Sequence, residues 1–196
     1  AFEYMQLVLQ WPAAFCHTTP SPCKRIPNNF TIHGLWPDNV STMLNYCSGE
    51  DEYEKLDDDK KKKDLDDRWP DLTIARADCI EHQVFWKHEY NKHGTCCSKS
   101  YNLTQYFDLA MALKDKFDLL TSLRKHGIIP GNSYTVQKIN STIKAITQGY
   151  PNLSCTKRQM GLLEIGICFD SKVKNVIDCP HPKTCKPMGN RGIKFP

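Results

Sequence analysis

Nowhere in the 196 residues is there a run of about 18 apolar side chains, so no segment reads as a bilayer-spanning helix. CxxC pairs are also missing, which removes the usual signature of a structural zinc cluster. No internal repeat and no Gly/Ser-rich or Pro-rich linker interrupts the chain, so residues 1–196 are expected to form a single domain. The opening stretch AFEYMQLVLQWP lacks a basic n-region and a long apolar h-region, and the chain is read as mature, its signal already removed.

Cysteine, in contrast, is plentiful. Ten of them, at 16, 23, 47, 79, 96, 97, 155, 168, 179 and 185, suit complete pairing in an oxidising compartment. Five N-x-S/T sequons, at Asn29, Asn39, Asn102, Asn140 and Asn152, point to the same secreted path, so a glycoprotein is expected. Net charge is +4, but residues 50–68 hold ten acids against six bases, a local −4 that leaves +8 on the remainder. That remainder suits a polyanion; it equally suits a secreted protein that happens to be basic.

Residues 3–10, EYMQLVLQ, read as a strand stopped by Trp11-Pro12, and NFTIHGLWP (29–37) reads as a second. In the second strand Phe30 and Ile32 alternate with Thr31 and His33, which places the latter two on the opposite face. Segment 50–68 is expected to be a solvated loop or exposed helix. One helix is predicted over 76–93, carrying Phe85 and Trp86 inward, and another over 103–125 with Gly127 at its stop. A third runs through Val136, Ile139, Ile143 and Ile146, with Ser133 as its cap. LLEIGICF and VKNVIDC flank a turn near Ser171 and read as a hairpin. Cys16 and Cys23 are expected to clip a small loop, Cys168 and Cys179 to face each other across the hairpin, and Cys155 and Cys185 to close a wider loop. As neighbours, Cys96 and Cys97 should take separate partners, with Cys47 and Cys79 as candidates. Many other connectivities remain open to ten cysteines.

The stretch FWKHEYNKHGTCC (85–97) concentrates ionisable groups. His88 and His93 are five apart, about 140° around a helix axis, which argues against the four-residue spacing of zinc proteases. The four-residue pairs are instead His88 with Lys92 and Glu89 with His93. Lys92 lowers the pKa of His93 and Glu89 raises it, which leaves the ring poised near neutrality. Exposed helical ion pairs would satisfy the same spacing. His33, followed by Gly34 and Trp36, would alone be an ordinary hydrogen-bonded strand histidine. Two histidines of this kind together suggest an acid–base pair, one removing a proton while the other supplies one.

FTIHGLWP and FWKHEYNKHGTC resemble the two signature segments of the secreted transferase-type (T-two) ribonucleases. LVLQWP, Trp69-Pro70 and the C-terminal cysteines fall in the same order, so the likeness covers essentially the whole chain. Within that family the basic charge, the sequon at Asn29 and the hydrophilic segment 50–68 are most similar to the S-RNases, style glycoproteins of self-incompatibility in the nightshade family. The resemblance implies an α+β fold, an antiparallel sheet with packed helices in a single disulfide-rich ribonuclease domain. It implies His33 as general acid and His93 as general base, with His88, Glu89 and Lys92 binding phosphate or stabilising its transition state. Gln10, Leu72 and Phe85 would line one base pocket and Trp36 would border another. Where the family usually has tryptophan after the glutamate, this chain has Tyr90. The substrate implied is single-stranded RNA, with no cofactor and no metal. A secreted monomer with N-linked glycans is expected, with pollen recognition proteins as further partners. A ribonuclease serving phosphate scavenging or defence, and a recognition glycoprotein with incidental nuclease activity, are the alternatives.

Overall fold

The computed structural model of the chain describes residues 1–182, 185 and 192–196. In chain order the elements are β1 (Tyr4–Gln10), α1 (Pro12–Thr18), β2 (Thr31–Asp38), α2 (Asp59–Arg68), α3 (Arg76–His82) and α4 (Val84–Lys92). There follow a 3-10 turn at Gly94–Cys97, α5 (Leu103–Phe117), α6 (Leu119–Lys125), β3 (Ser133–Tyr134) and α7 (Val136–Thr147). The chain ends with β4 (Asn152–Cys155), β5 (Leu162–Asp170), β6 (Val176–Ile177) and β7 (Ile193–Lys194). The main sheet is antiparallel, in the order β2-β1-β5-β4, with β6 pairing the far end of β5; β3 and β7 form a separate two-stranded pair. Among the described residues no helix is long and apolar enough to cross a membrane.

The register divides the sheet into two unlike faces, because side chains alternate along each strand. Met5, Leu7 and Leu9 align with Leu35 and Ile32 on one side and with Phe169, Ile167 and Ile165 on the other, and all belong to the buried core. Helix α5 lies against this face, with Tyr106 donating its hydroxyl to the Leu35 carbonyl at 2.5 Å and Phe117 packing 6.2 Å from Phe169. The opposite face carries Gln6, Val8 and Gln10 of β1, Thr31, Gly34 and Trp36 of β2, and Glu164 and Gly166 of β5. One face therefore drives folding, and the other, polar and lined with small residues, is left for chemistry.

The β1–β2 ladder is broken once. Val8 faces Gly34 and Leu9 faces Ile32, so His33 is an extra residue with no partner across the strand pair. A bulge of this kind frees backbone groups from the ladder. Here the buried Trp69 indole donates to the His33 carbonyl at 3.1 Å, and Trp86 in turn donates to the Trp69 carbonyl at 2.7 Å. Both tryptophans are fully buried, and each contributes roughly 2–3 kcal/mol through burial while holding the bulge in place.

Two predicted helices are each broken in two. Gln83, at φ 54°, separates α3 from α4, and Asp118, at φ 40°, separates α5 from α6. The Gln83 side chain compensates for its left-handed backbone. Its amide oxygen accepts from Tyr53 Oη at 2.6 Å and Leu56 N at 2.9 Å, and its nitrogen donates to the carbonyls of Leu56 and Ile80. The cap of α7 is Thr135, not Ser133: its hydroxyl accepts from Lys138 N at 3.1 Å, while Ser133 opens β3.

Segment 50–68 is both loop and helix. Asp58 caps α2 by accepting from Lys61 N at 2.7 Å, and Leu56 and Leu65 bury into the core. The chain leading into it is laced to α4 and the 3-10 turn: Tyr46 N donates to the Lys92 carbonyl at 2.7 Å and Cys47 N to Thr95 Oγ1 at 3.2 Å, and within the segment Asp51 accepts from Asn91 Nδ2 at 3.0 Å and pairs with Lys87 at 2.6 Å.

Four disulfides form: Cys16–Cys23, Cys47–Cys96, Cys155–Cys185 and Cys168–Cys179. The expected fifth pair does not, and Cys79 and Cys97 are buried free thiols. Their surroundings explain the correction. Cys79 lies on α3 beside the Arg25–Asp66 ion pair, whereas Cys97 sits in the 3-10 turn with its sulfur 3.4 Å from the Gly94 carbonyl. Burial pushes both thiols up, to about 11 and about 12, so neither is a ready nucleophile for exchange.

Candidate active site

The bulged strand β2 and the C-terminal end of α4 meet at Glu89. This carboxylate is 2% exposed, and its two oxygens point to different imidazoles: Oε1 lies 3.8 Å from His33 Nε2, and Oε2 lies 3.8 Å from His93 Nε2. Trp36 Nε1 also donates to Oε1, at 3.3 Å. The His93 ring stacks on Trp36 with centroids 4.8 Å apart, and His33 meets the same indole edge-on at 5.2 Å. Residues 33 and 93, sixty positions apart, are thus held by one acid and one indole. Gly34 makes the approach possible, since a β-carbon there would fall 2.5 Å from Glu89 Oε1 and still closer to Trp36.

The environments of the two rings differ in sign. His93 closes α4, its amide bonded to the Glu89 carbonyl at 2.9 Å, with Nδ1 buried and unpartnered. Burial, then the charges of Lys92, His33 and His88, push its pKa down to about 3, so the ring is neutral near pH 7. On His33, burial also works against the charged form, but the hydrogen bond and charge of Glu164, with Glu89 behind them, outweigh it and hold its pKa above the ordinary value. His33 Nδ1 is 2.5 Å from Glu164 Oε2. Burial raises Glu89 to about 6, against the pull of His33, Trp36 and Lys92.

Of the other expected residues, half-buried Lys92 acts on all three of these groups through its charge, and exposed His88 acts on His93. Phe85 is half-buried, its ring 6.2 Å from His33. Gln10 is buried on the polar face, its amide donating to Thr31 Oγ1 at 3.4 Å, in register with Glu164. Leu72 is 2% exposed in the core, and its carbonyl accepts from Lys24 N and Arg25 N. Tyr90 packs among Tyr53, Tyr106 and Phe107, behind the site. Sequence reasoning missed Glu164. Its signal was present, as the single charged residue in the apolar run Gly161–Phe169.

Among the described residues the grouping of three whose metal-ligand atoms come within 4.8 Å of one another is Asp78, Glu81 and His82, all exposed on α3.

Comparison with known proteins agrees with this geometry. The ribonuclease T2 family profile matches residues 2–179. Ribonuclease S-7 of Nicotiana alata is 76% identical over 198 residues, covering all of this chain and 90% of the relative. The crystal structure of the Nicotiana alata self-incompatibility-associated SF11-RNase superposes with a TM-score of 0.91 at 45% identity, covering 99% of this chain and all of that one. A variant of ribonuclease MC1, a bitter gourd seed enzyme, in complex with 5′-GMP gives 0.82 at 32% identity over 95% of this chain and 97% of its own. With its two histidine segments converging on one acid inside this fold, the chain belongs to the ribonuclease T2 family.

Proposed function

We propose that residues 1–196 act as one secreted endoribonuclease domain that cleaves single-stranded RNA by transphosphorylation. The carrying observation is the pair of imidazoles on opposite oxygens of Glu89, one biased towards its protonated form and the other towards neutrality. RNA supplies its own nucleophile, so the enzyme has only to move two protons and steady one phosphorane. Neutral His93 takes the proton of the 2′-hydroxyl, and the 2′-oxygen attacks phosphorus. Lys92 and His88 face the crowded equatorial oxygens. Protonated His33 delivers a proton from Nε2 to the departing 5′-oxygen, leaving a 2′,3′-cyclic phosphate and a free 5′-hydroxyl. Hydrolysis of the cyclic product follows, with the two rings exchanging roles. Glu89, between the rings, orients both and tempers the charge of Lys92. Phe85 bounds one base pocket and Trp36 the other, on an unpaired strand whose bases can stack, whereas Gln10 and Leu72 are too deeply buried to touch a base. DNA, lacking the 2′-hydroxyl, is inert.

Whole-length kinship with a Nicotiana S-type ribonuclease and with a self-incompatibility-associated structure supports the style-side role over scavenging or defence. In that role the glycoprotein is secreted into the style and degrades pollen-tube RNA, with segment 50–68 exposed to pollen proteins. RNA digestion in EDTA by wild type, His33→Ala and His93→Ala tests the chemistry. Each variant should lose about 100-fold or more in kcat. Undiminished cleavage by either variant ends the two-histidine mechanism, and loss of wild-type activity in EDTA ends metal independence.

A further inference from the structure

We propose that Glu164 is a positioning residue for this reaction: by accepting from His33 Nδ1 it fixes the tautomer that presents Nε2 to the leaving group, and it supplies the negative charge that keeps the ring a proton donor. The inference rests on the ribonuclease reading above and extends it to a third strand.

Geometry carries the argument. His33 lies on β2 and Glu164 on β5, with β1 between them, so their strands are roughly 9–10 Å apart. Two side chains must reach over β1 to meet, and they do so at 2.5 Å. The bulge places His33 beside Gly34, next to the rungs Gly34–Val8–Gly166 and Thr31–Gln10–Glu164. The glycines at both ends of the first rung admit other groups: Trp36 and Glu89 occupy the space beside Gly34, and Gln6 that beside Gly166. A mid-strand carboxylate that served only solubility would need no such partner; here it is 20% exposed and committed to one ring nitrogen.

The groups facing His33 come from three elements. Glu164 acts from β5, Glu89 and Lys92 act from α4, and Trp36 of β2 and Phe85 of α4 contribute ring contacts. The two carboxylates address different nitrogens. Glu89 stands 3.8 Å from Nε2, on the side where the phosphate must bind, and Glu164 holds Nδ1. Because Nδ1–H donates to Glu164, the mobile proton is confined to Nε2. The pair then resembles an acid whose conjugate charge is already balanced, and His33 keeps its proton to higher pH than a free imidazole, in line with its raised pKa.

The test is an NMR titration of the His33 ring, with pH profiles of kcat and KM, in wild type, Glu164→Gln and Glu164→Asp. Glutamine retains an acceptor of nearly the same shape and removes the charge. The His33 midpoint in Glu164→Gln should drop by about one pH unit, and the basic limb of kcat/KM should move with it. At slightly alkaline pH kcat should fall about tenfold with KM nearly unchanged. Glu164→Asp, keeping the charge on a shorter arm, should recover part of the shift, and it decides the matter if the glutamine variant fails to fold. An unmoved midpoint, or a loss confined to KM, overturns the proposal. The ring titration needs no RNA. A wild type that fails to cleave RNA therefore sinks the ribonuclease reading while leaving the Glu164 result to be judged separately.

Discussion

Glu89 is pulled in two directions, and the opposing effects should be visible in stability. His93 has a folded pKa of about 3 against an ordinary 6.5, so its contribution is complete above pH 6.5 and is lost as pH falls towards 3. Glu89 behaves in the opposite sense: raised from 4.5 to about 6, its contribution is complete below pH 4.5 and is lost as pH rises through 6. Between pH 6 and 4.5 the two offset each other. Glu89→Gln removes one side, so its Tm should fall more steeply than that of wild type on acidification through this window. The difference is bounded by about 1.4 kcal/mol per pH unit, and parallel Tm–pH curves would refute it. His33 and His93 were legible in the sequence because each sits in a long aromatic-rich segment that local spacing makes informative. Glu164 stood out only as a lone charge in an apolar run; its role was not legible, because its partner lies 131 residues away and two strands over, and no local pattern encodes that meeting.

Element geometry depends on the bulge, and Trp69 is its clasp. Trp69→Phe deletes the donor to the His33 carbonyl, leaves a part-buried acceptor unmet and thins the packing under β2. Denaturant unfolding should show a loss of about 1–3 kcal/mol, and kcat should fall more than KM rises as the ring drifts. A variant with lost stability but wild-type kcat would show that the clasp does not set the ring. Strand β2 was readable from its alternation, and β1 and β5 from short, largely apolar runs ended by a proline or a turn, since both are buried along most of their length. The helix breaks at Gln83 and Asp118 were not. Apolar spacing continues through both points, and the left-handed backbone at Gln83 is sustained by bonds to Tyr53 and Leu56, nearly thirty residues earlier.

Across the whole molecule the α+β class and three of the cysteine pairs followed from sequence, with Cys47 a candidate partner for Cys96 or Cys97, while completeness of pairing did not. An even count says nothing about where two thiols end up, and packing puts Cys79 and Cys97 in separate buried sites. Alkylation of unreduced protein should therefore label no cysteine in the native state and two per chain in guanidinium; labelling of none when unfolded would restore a fifth bridge. The lacing of residues 46–56 onto α4 has a mechanical consequence. Lys87 and Asn91, which hold Asp51, project from the side of the helix opposite Glu89 and His93. Whatever grips that acidic loop from outside takes hold of the back of the catalytic helix, so an external touch and the internal proton traffic share a single handle.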